Sequence, residues 1–532
     1  MLQGINMRSV FLLVAICGIV QGLCRADTLV TTKLGLIKGT SGDGFTRFLG
    51  IPYGLVDENN PFGPSVPHPR FEELFQATTS KICPQMRQGV PSGSIDCLTL
   101  DIYVPNTANS GKPLPVMVWI HGGAWIGGTS TSQATDPVTL LNHDVIIVSI
   151  NYRVGLYGFL CLDIPELPGN QGLKDQTLAL RWIKNNIAAF GGDDNNITLF
   201  GESAGGMSVN MHLYSQTEKL FDKVIIQSGP AISYWMMVKS NDTIPLILAE
   251  EFGFITTNVK EALQFISTID IHQLVLKAFE LKLTSASGND QPLTKPCVEK
   301  KFEGVDHFIT EHPMNLNSSK VRDMPVIIGH TRREFHFQFN GRDQDFFDSF
   351  DLKPLFGMGF YVDNEMEDAI NTAKHFYFGD DNISMEELIQ LGTDLVFGHS
   401  TQRMAKQLLE NEAQNVFRYV YSYENASHAD ELAYLFDNTR RSTEASEEEK
   451  IELMQSPMRA RLTLLWTNFA KYGNPTPEPT ELVPFIWTPI TKTTQPYVDM
   501  DSEYTLSSRP DHSRMAFWDL FYKLYGKYQM WY

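Results

Sequence analysis

The run Gly201–Glu202–Ser203–Ala204–Gly205 sets one hydroxyl between two glycines, with Gly206 directly after. An apolar strand pattern over 197–200 precedes it and a helical pattern over 204–213 follows. This order suits a serine nucleophile. The side chain must project from a sharp strand-to-helix turn, where Cβ atoms at the flanking positions would collide. The helix start adds partial positive charge and free N–H donors near the reacting oxygen. A second small-residue loop, His121–Gly122–Gly123–Ala124–Trp125, follows the apolar run at 114–120. There the backbone can approach a developing alkoxide, so the N–H groups of Gly123 and Ala124, with that of Ala204, are the expected oxyanion hole. The implied chemistry is acyl transfer on an activated serine, which also needs a base and a carboxylate to orient that base. In this arrangement the chain order is Ser, acid, His. Many acids and several histidines follow Ser203, and pattern alone does not choose among them.

The elements that must carry these loops read as short buried strands alternating with helices. Strand patterns fall at 116–120, 145–150, 197–200, 224–226, 325–328 and 416–421, and a helix pattern at 175–183. Continuous Val and Ile runs without polar alternation suit strands buried on both faces. The expected fold class is therefore α/β, a mostly parallel central sheet covered by helices. Such sheets place their ligand site at the carboxyl ends of the strands, where both loops fall.

The 532 residues are 42% apolar and 20% charged, ordinary for a globular protein. No repeat and no Gly/Ser- or Pro-rich linker divides them, so one large domain over 27–532 is expected. Residues 1–26 read as a signal peptide. A single cation, Arg8, precedes an apolar run at 10–20, which is too short to span a bilayer, and small residues follow. No later run reaches spanning length, which predicts a secreted, extracellular protein without a membrane span. The net charge of −19 becomes two units more negative without Arg8 and Arg25. A surface of that sign repels nucleic acid and anionic membranes. Sequons at Asn241, Asn317, Asn382 and Asn425 are glycosylation candidates, whereas Asn196 leads into a core strand. Of six cysteines, Cys17 and Cys24 leave with the leader. Cys83 and Cys97 close a short loop, and a bridge there would contribute about 3 kcal/mol. Cys161 and Cys297 are either a second bridge or two buried free thiols, and free thiols are the expectation because free Cys packs readily in cores.

Several longer motifs carry a family resemblance. They are Phe48–Leu49–Gly50–Ile51–Pro52–Tyr53, Asp96–Cys97–Leu98–Thr99–Leu100, Asn151–Tyr152–Arg153, the run 168–176, the Ser203 turn, and the run 466–475. Together they identify the chain as similar to the type-B carboxylesterase/cholinesterase family over nearly all of the mature sequence. The segment Asn59–Asn60–Pro61–Phe62–Gly63–Pro64 resembles insect secreted esterases in particular. The resemblance implies the α/β-hydrolase fold, a loop disulfide at Cys83 and Cys97, and no metal or organic cofactor. Its acid lies in a G-x-x-x-x-E-G pattern, matched by Gly329–His330–Thr331–Arg332–Arg333–Glu334 with Phe335 in place of the last glycine. Its base matches His428 in Ser427–His428–Ala429–Asp430–Glu431–Leu432. The implied catalytic set is Ser203, Glu334 and His428, with Glu202 and Ser228 beside it and Trp125 either on the acyl side or in the core.

The implied partners are a small-molecule ester and water. A tryptophan in the 83–97 loop, which would suit choline by cation–π contact, is missing. Glu202 stands where juvenile-hormone esterases typically carry Gln. The expected substrates are small to medium apolar esters of odorant, pheromone or xenobiotic type. The alternatives are a noncatalytic adhesion member of the same fold, against which the complete triad argues, and a specialised hormone esterase. Because the base must be neutral, activity should fall on acidification through a histidine pKa, about 6.5 if unperturbed.

Overall fold

Val and Ile runs that are apolar at every position bury both faces of a strand, so helices must cover the sheet above and below. The computed structural model describes residues 28–529 except 110, 131–135, 234–235, 286–291, 381 and 438–445. The expected leader, with Cys17 and Cys24, lies outside the described residues. The strands of the central sheet are β1 (Thr40–Ser41), β2 (Phe45–Pro52), β3 (Thr99–Pro105), β4 (Leu114–Ile120), β5 (Ile146–Ile150) and β6 (Gly192–Glu202). They continue with β7 (Lys223–Gln227), β8 (Val326–Thr331), β9 (Val416–Tyr421), β10 (Pro496–Met500) and β11 (Tyr504–Ser508). Their spatial order is β11-β10-β9-β8-β7-β6-β4-β5-β3-β2-β1.

The pairings from β5 through β4 and β6 to β10 are parallel, and both margins are antiparallel. This is the expected α/β-hydrolase architecture. β4 lies between β5 and β6, with Ile120 opposite Gly201, so the two small-residue loops leave adjacent strand ends. Side chains of β4 alternate between two cores. Val116, Val118 and Ile120 enter one, while Met117 and Trp119 enter the other.

The helices used below are α1 (Gln171–Asn186), α2 (Ala204–Tyr214), α3 (Ile271–Glu280), α4 (Met385–Thr393), α5 (His399–Glu410), α6 (Pro457–Tyr472) and α7 (His512–Tyr525). Helix α2 is buried along its whole length, which fits its lack of a polar face. The Asn151–Tyr152–Arg153 and 168–176 motifs brace the sheet. Arg153 and Asp175 form a fully buried ion pair at 2.8 Å, and Arg153 also donates to the carbonyls of Pro61 and Gly63. Removing one partner would strand a buried charge.

Cys83 and Cys97 are bridged, as expected. Cys161 and Cys297, expected as free thiols, also form a disulfide, with Cα atoms 6.6 Å apart. Burial alone is common to free and bridged cysteines. What brings these two together is long-range folding, which packs the segment around Cys297 against the turn at Gly169–Asn170. Asn317, Asn382 and Asn425 are exposed. Asn241 is half-buried, with its Oδ1 accepting from the Thr243 N–H and hydroxyl. Asn196 sits within β6, and its Oδ1 accepts from Lys223 Nζ.

Candidate active site

β6 ends at Glu202, and Ser203 turns the chain with φ 57° and ψ −128° before α2 begins. A non-glycine residue there is strained and persists only where its surroundings hold it. Two bonds do so: the Ser203 N–H donates to the Gln227 carbonyl at 3.0 Å, and its carbonyl accepts from the Met207 N–H at 2.8 Å. The flanking glycines answer a close approach of backbone. A Cβ on Gly205 would lie 2.0 Å from the Ile120 carbonyl oxygen, and one on Gly201 would lie 2.7 Å from the same atom.

The loop after β4 takes positive φ at three consecutive residues, Gly123 (111°), Ala124 (53°) and Trp125 (58°). Ile126 and Gly127 both donate to the Gly123 carbonyl, and the Gln85 amide brackets Gly128 with two bonds of 2.8 Å. A Cβ on Gly122 would stand 3.2 Å from the Ser203 Cβ, so this loop lies against the serine turn. Ala204 is the first residue of α2, where a helix leaves its N–H without an intrahelical acceptor. Trp125 proves to be core: it is buried, and its indole N–H donates to Ser208 Oγ at 3.1 Å.

Glu334 and His428 come from the loops after β8 and β9, which are tied by the Arg333 N–H donating to the Ala426 carbonyl. The structure brings both to Ser203. His428 Nε2 lies 2.8 Å from Ser203 Oγ, and Nδ1 lies 2.5 Å from Glu334 Oε2. The other Glu334 oxygen accepts from Ser228 Oγ at 2.6 Å and from the Thr331 N–H at 2.8 Å. Glu334 is fully buried and meets neither neighbouring arginine, since Arg332 pairs with Asp499 and Asp511, and Arg333 with Glu386. Phe335, which replaces the family's glycine, has φ −86°, so no left-handed residue is needed there. Its ring fits against α4 at Gly392, where a Cβ would come within 2.5 Å. Phe337 and Phe397 flank the His428 ring at 5.5 and 5.3 Å.

Two further carboxylates face this group. Glu202 Oε1 is 3.1 Å from His428 Nε2, the same nitrogen that meets the serine. Glu431, three residues after His428, is fully buried and accepts from Gln227 Nε2 at 3.0 Å, while Trp466 Nε1 donates to the Gln227 oxygen. Sequence reasoning missed Glu431, Gln227, Phe337 and Phe397. The only local signal for Glu431 was its place three residues after His428.

The electrostatics follow from these contacts. Burial depresses the imidazole, but the charges of Glu202 and Glu334, the Glu334 hydrogen bond and Glu431 outweigh it and lift His428 to about 10. Burial pushes Glu202 up to about 7 against the pull of His428, with Glu334 adding to the rise. Burial, Glu202 and Glu334 push Glu431 to about 8. The net direction for His428 is upward. A general base works as neutral imidazole, so with His428 in that role the acidic limb of the pH profile is expected above the ~6.5 of an unperturbed histidine. Replacing Glu202 by Gln removes a negative charge beside Nε2 and lowers the imidazole pKa. The acidic limb of kcat/KM should then move to lower pH by about one unit. Aryl-ester kinetics from pH 5 to about 11, corrected for spontaneous hydrolysis, would show it, and a limb that stays or rises refutes the assignment.

A serine on a strained strand–helix turn, joined by hydrogen bonds to an imidazole and a buried carboxylate on this sheet, defines an ester hydrolase of the α/β-hydrolase fold. The chain belongs to the carboxylesterase family, whose pattern ("Carboxylesterase family") matches residues 26–518. It is 29% identical to para-nitrobenzyl esterase of Bacillus subtilis over 91% of this chain and 97% of that protein. It is 30% identical to esterase FE4 of Myzus persicae over 90% of this chain and 91% of that one. With juvenile hormone esterase of Tribolium castaneum it shares 28% over 84% of each. Among solved structures, a PNB esterase superposes with a TM-score of 0.73 at 29% identity, covering 92% of this chain and all of that one.

Proposed function

We propose that this carboxylic ester hydrolase acts on small to medium uncharged apolar esters through an acyl-enzyme on Ser203. The observation that carries this reading is the continuous line Ser203 Oγ, His428, Glu334. His428 takes the hydroxyl proton as Ser203 Oγ attacks the ester carbonyl. Glu334, held by Ser228 and Thr331, fixes the ring and stabilises the imidazolium. The N–H groups of Gly123, Ala124 and Ala204 bind the oxyanion, each donor worth about 3 kcal/mol. The proton passes from His428 to the leaving alcohol. Water then enters, gives its proton to His428, and releases the acid and the free serine. None of these steps calls for a metal or organic cofactor.

An apolar substrate is supported by a cavity of about 310 Å³ with Gly123 of the oxyanion loop in its wall. Its wall includes Met86, Ile126, Leu156, Tyr157, Val275 and, on α3, Phe279. Such a lining favours hydrocarbon acyl or alcohol groups. Odorant, pheromone and xenobiotic esters fit that chemistry. A hormone ester is the second reading, favoured by the juvenile hormone esterase relative. Secretion of a single domain over 27–532 after loss of 1–26 is supported by two disulfides and by exposed Asn317, Asn382 and Asn425. No helix among the described residues is long and apolar enough to cross a membrane.

A fluorophosphonate probe should label the protein stoichiometrically at Ser203, read by mass spectrometry of the labelled peptide. A protein that resists the probe is a noncatalytic member of the fold. A panel of p-nitrophenyl and naphthyl esters graded in acyl and alcohol length then ranks the substrates, with kcat/KM expected to rise with acyl length and to be poor for choline esters.

A further inference from the structure

A second cleft, of about 680 Å³, lies between α5 and α7. Its walls also include Lys492 and Gln495, just before β10, and Arg509, just after β11. Since β10 runs parallel to β9 and antiparallel to β11, these residues sit at the amino end of the sheet. Ser203 leaves the carboxyl end, and no residue of the Ser203–His428–Glu334 line touches the cleft.

Its charge is opposite to that of the molecule. On a chain of net charge −19, four cations face this one space: Arg403, Lys406, Lys492 and Arg509. Two carboxylates accompany them, and both are engaged. Asp519 accepts from His399 at 3.0 Å and from Gln402 at 3.2 Å, and Glu410 lies 4.0 Å from Lys406. Among the described residues no carboxylate pairs with Arg403, Lys492 or Arg509. Arg509 reaches only the Thr493 carbonyl, at 3.4 Å. The Arg403 guanidinium lies 4.3 Å from the centre of the Tyr522 ring, and its Nη1 is buried with no hydrogen-bond partner.

Stacking on an aromatic face holds a guanidinium in one plane and leaves its N–H fork free for an oxyanion. An unsatisfied buried donor costs free energy that a bound acceptor restores. A walled cleft in which cations outnumber carboxylates concentrates field that an open surface would lose to salt. A single small anion would meet only part of this set, so a ligand able to meet several of the cations at once gains most.

We propose that this cleft binds a ligand carrying two or more oxyanion groups, phosphate or sulfate, that engage Arg403, Lys492 and Arg509 together. The chemistry has two sources, a free phosphorylated metabolite or a sulfated sugar chain. Calorimetric titration of the full-length protein with sodium pyrophosphate and with sucrose octasulfate, at ionic strength matched by chloride, tests it. Saturable binding of either is expected, weakening steeply with added salt. Tighter binding of pyrophosphate points to the metabolite and tighter binding of the octasulfate to the sugar chain. Arg403→Gln and the double substitution Lys492→Gln/Arg509→Gln should each weaken binding roughly tenfold or more, since each removes charge-assisted bonds. Lys112→Gln, on an exposed loop elsewhere, should not. Aryl-ester turnover should be unchanged in all three, which shows that they fold. Absence of saturable binding to both probes, or equal affinity in the wild type and the double variant, overturns the proposal.

Discussion

Ser203→Ala should lower kcat/KM for a simple aryl ester by roughly 10⁴- to 10⁶-fold while the protein stays folded. The substitution removes one oxygen whose side-chain hydrogen-bond partner is His428 Nε2, at 2.8 Å. The turn itself is held by backbone bonds to Gln227 and Met207, which alanine keeps. His428→Ala should cost about as much, and the double variant little more than either alone. The two groups act on one proton, so once either is lost the other has nothing to transfer. The residual rate over water should come from the oxyanion donors and binding. Parallel measurement of turnover, fluorophosphonate labelling and thermal unfolding separates lost chemistry from lost fold. Turnover within tenfold of wild type in Ser203→Ala would remove the nucleophile from its assigned role.

The two loops that begin the chemistry were legible because their constraints are local. A serine between glycines after a buried strand has few structural reasons to exist, and the clash of a Gly205 Cβ with the Ile120 carbonyl is one of them. The base and the acid were not legible from pattern. His428 lies 225 residues beyond Ser203 and 94 beyond Glu334, and nothing local distinguishes it from other histidines. Family resemblance supplied both. It also set Phe335 where the pattern has a glycine, a residue that commonly marks a left-handed backbone. The structure shows instead a packing exchange, in which the added ring is admitted by a glycine on α4. Glu431 escaped because it follows Asp430 in a stretch where nothing local tells a buried carboxylate from an exposed one. Burial of that carboxylate is a property of the assembled loops after β8 and β9, which the run does not encode. The sheet was read as mostly parallel, which it is, but its marginal strand β1 went unread for a similar reason. A strand as short as β1 has no periodicity to read and exists only through its pairing with β2.

The second large effect concerns the bridge that burial statistics failed to predict. Cys161 and Cys297 are 136 residues apart in sequence, against 14 for Cys83 and Cys97. Cross-linking the longer loop restricts the unfolded chain more, giving about 5 kcal/mol on the chain-entropy model against about 3 kcal/mol for the shorter. The folded state around the longer bridge is held independently of sulfur. Asn170 Nδ2 donates to the Cys297 carbonyl at 2.7 Å, and the Cys297 N–H donates to Asn170 Oδ1 at 2.9 Å. Glu299 accepts from Asn170 and pairs with Lys174 of α1 at 3.0 Å. Replacing both cysteines by serine should therefore act through the unfolded ensemble and leave the ester site in place. The expected signature is a split: kcat/KM at 25 °C within about twofold of wild type, because the site is untouched, but a large fall in denaturation midpoint. Cys161→Ser/Cys297→Ser should fall further than Cys83→Ser/Cys97→Ser in the same guanidinium series. The order is the test. If the short-loop variant is the less stable, the stabilisation resides in native packing around Cys83 and Cys97, and the chain-entropy account of the longer bridge fails.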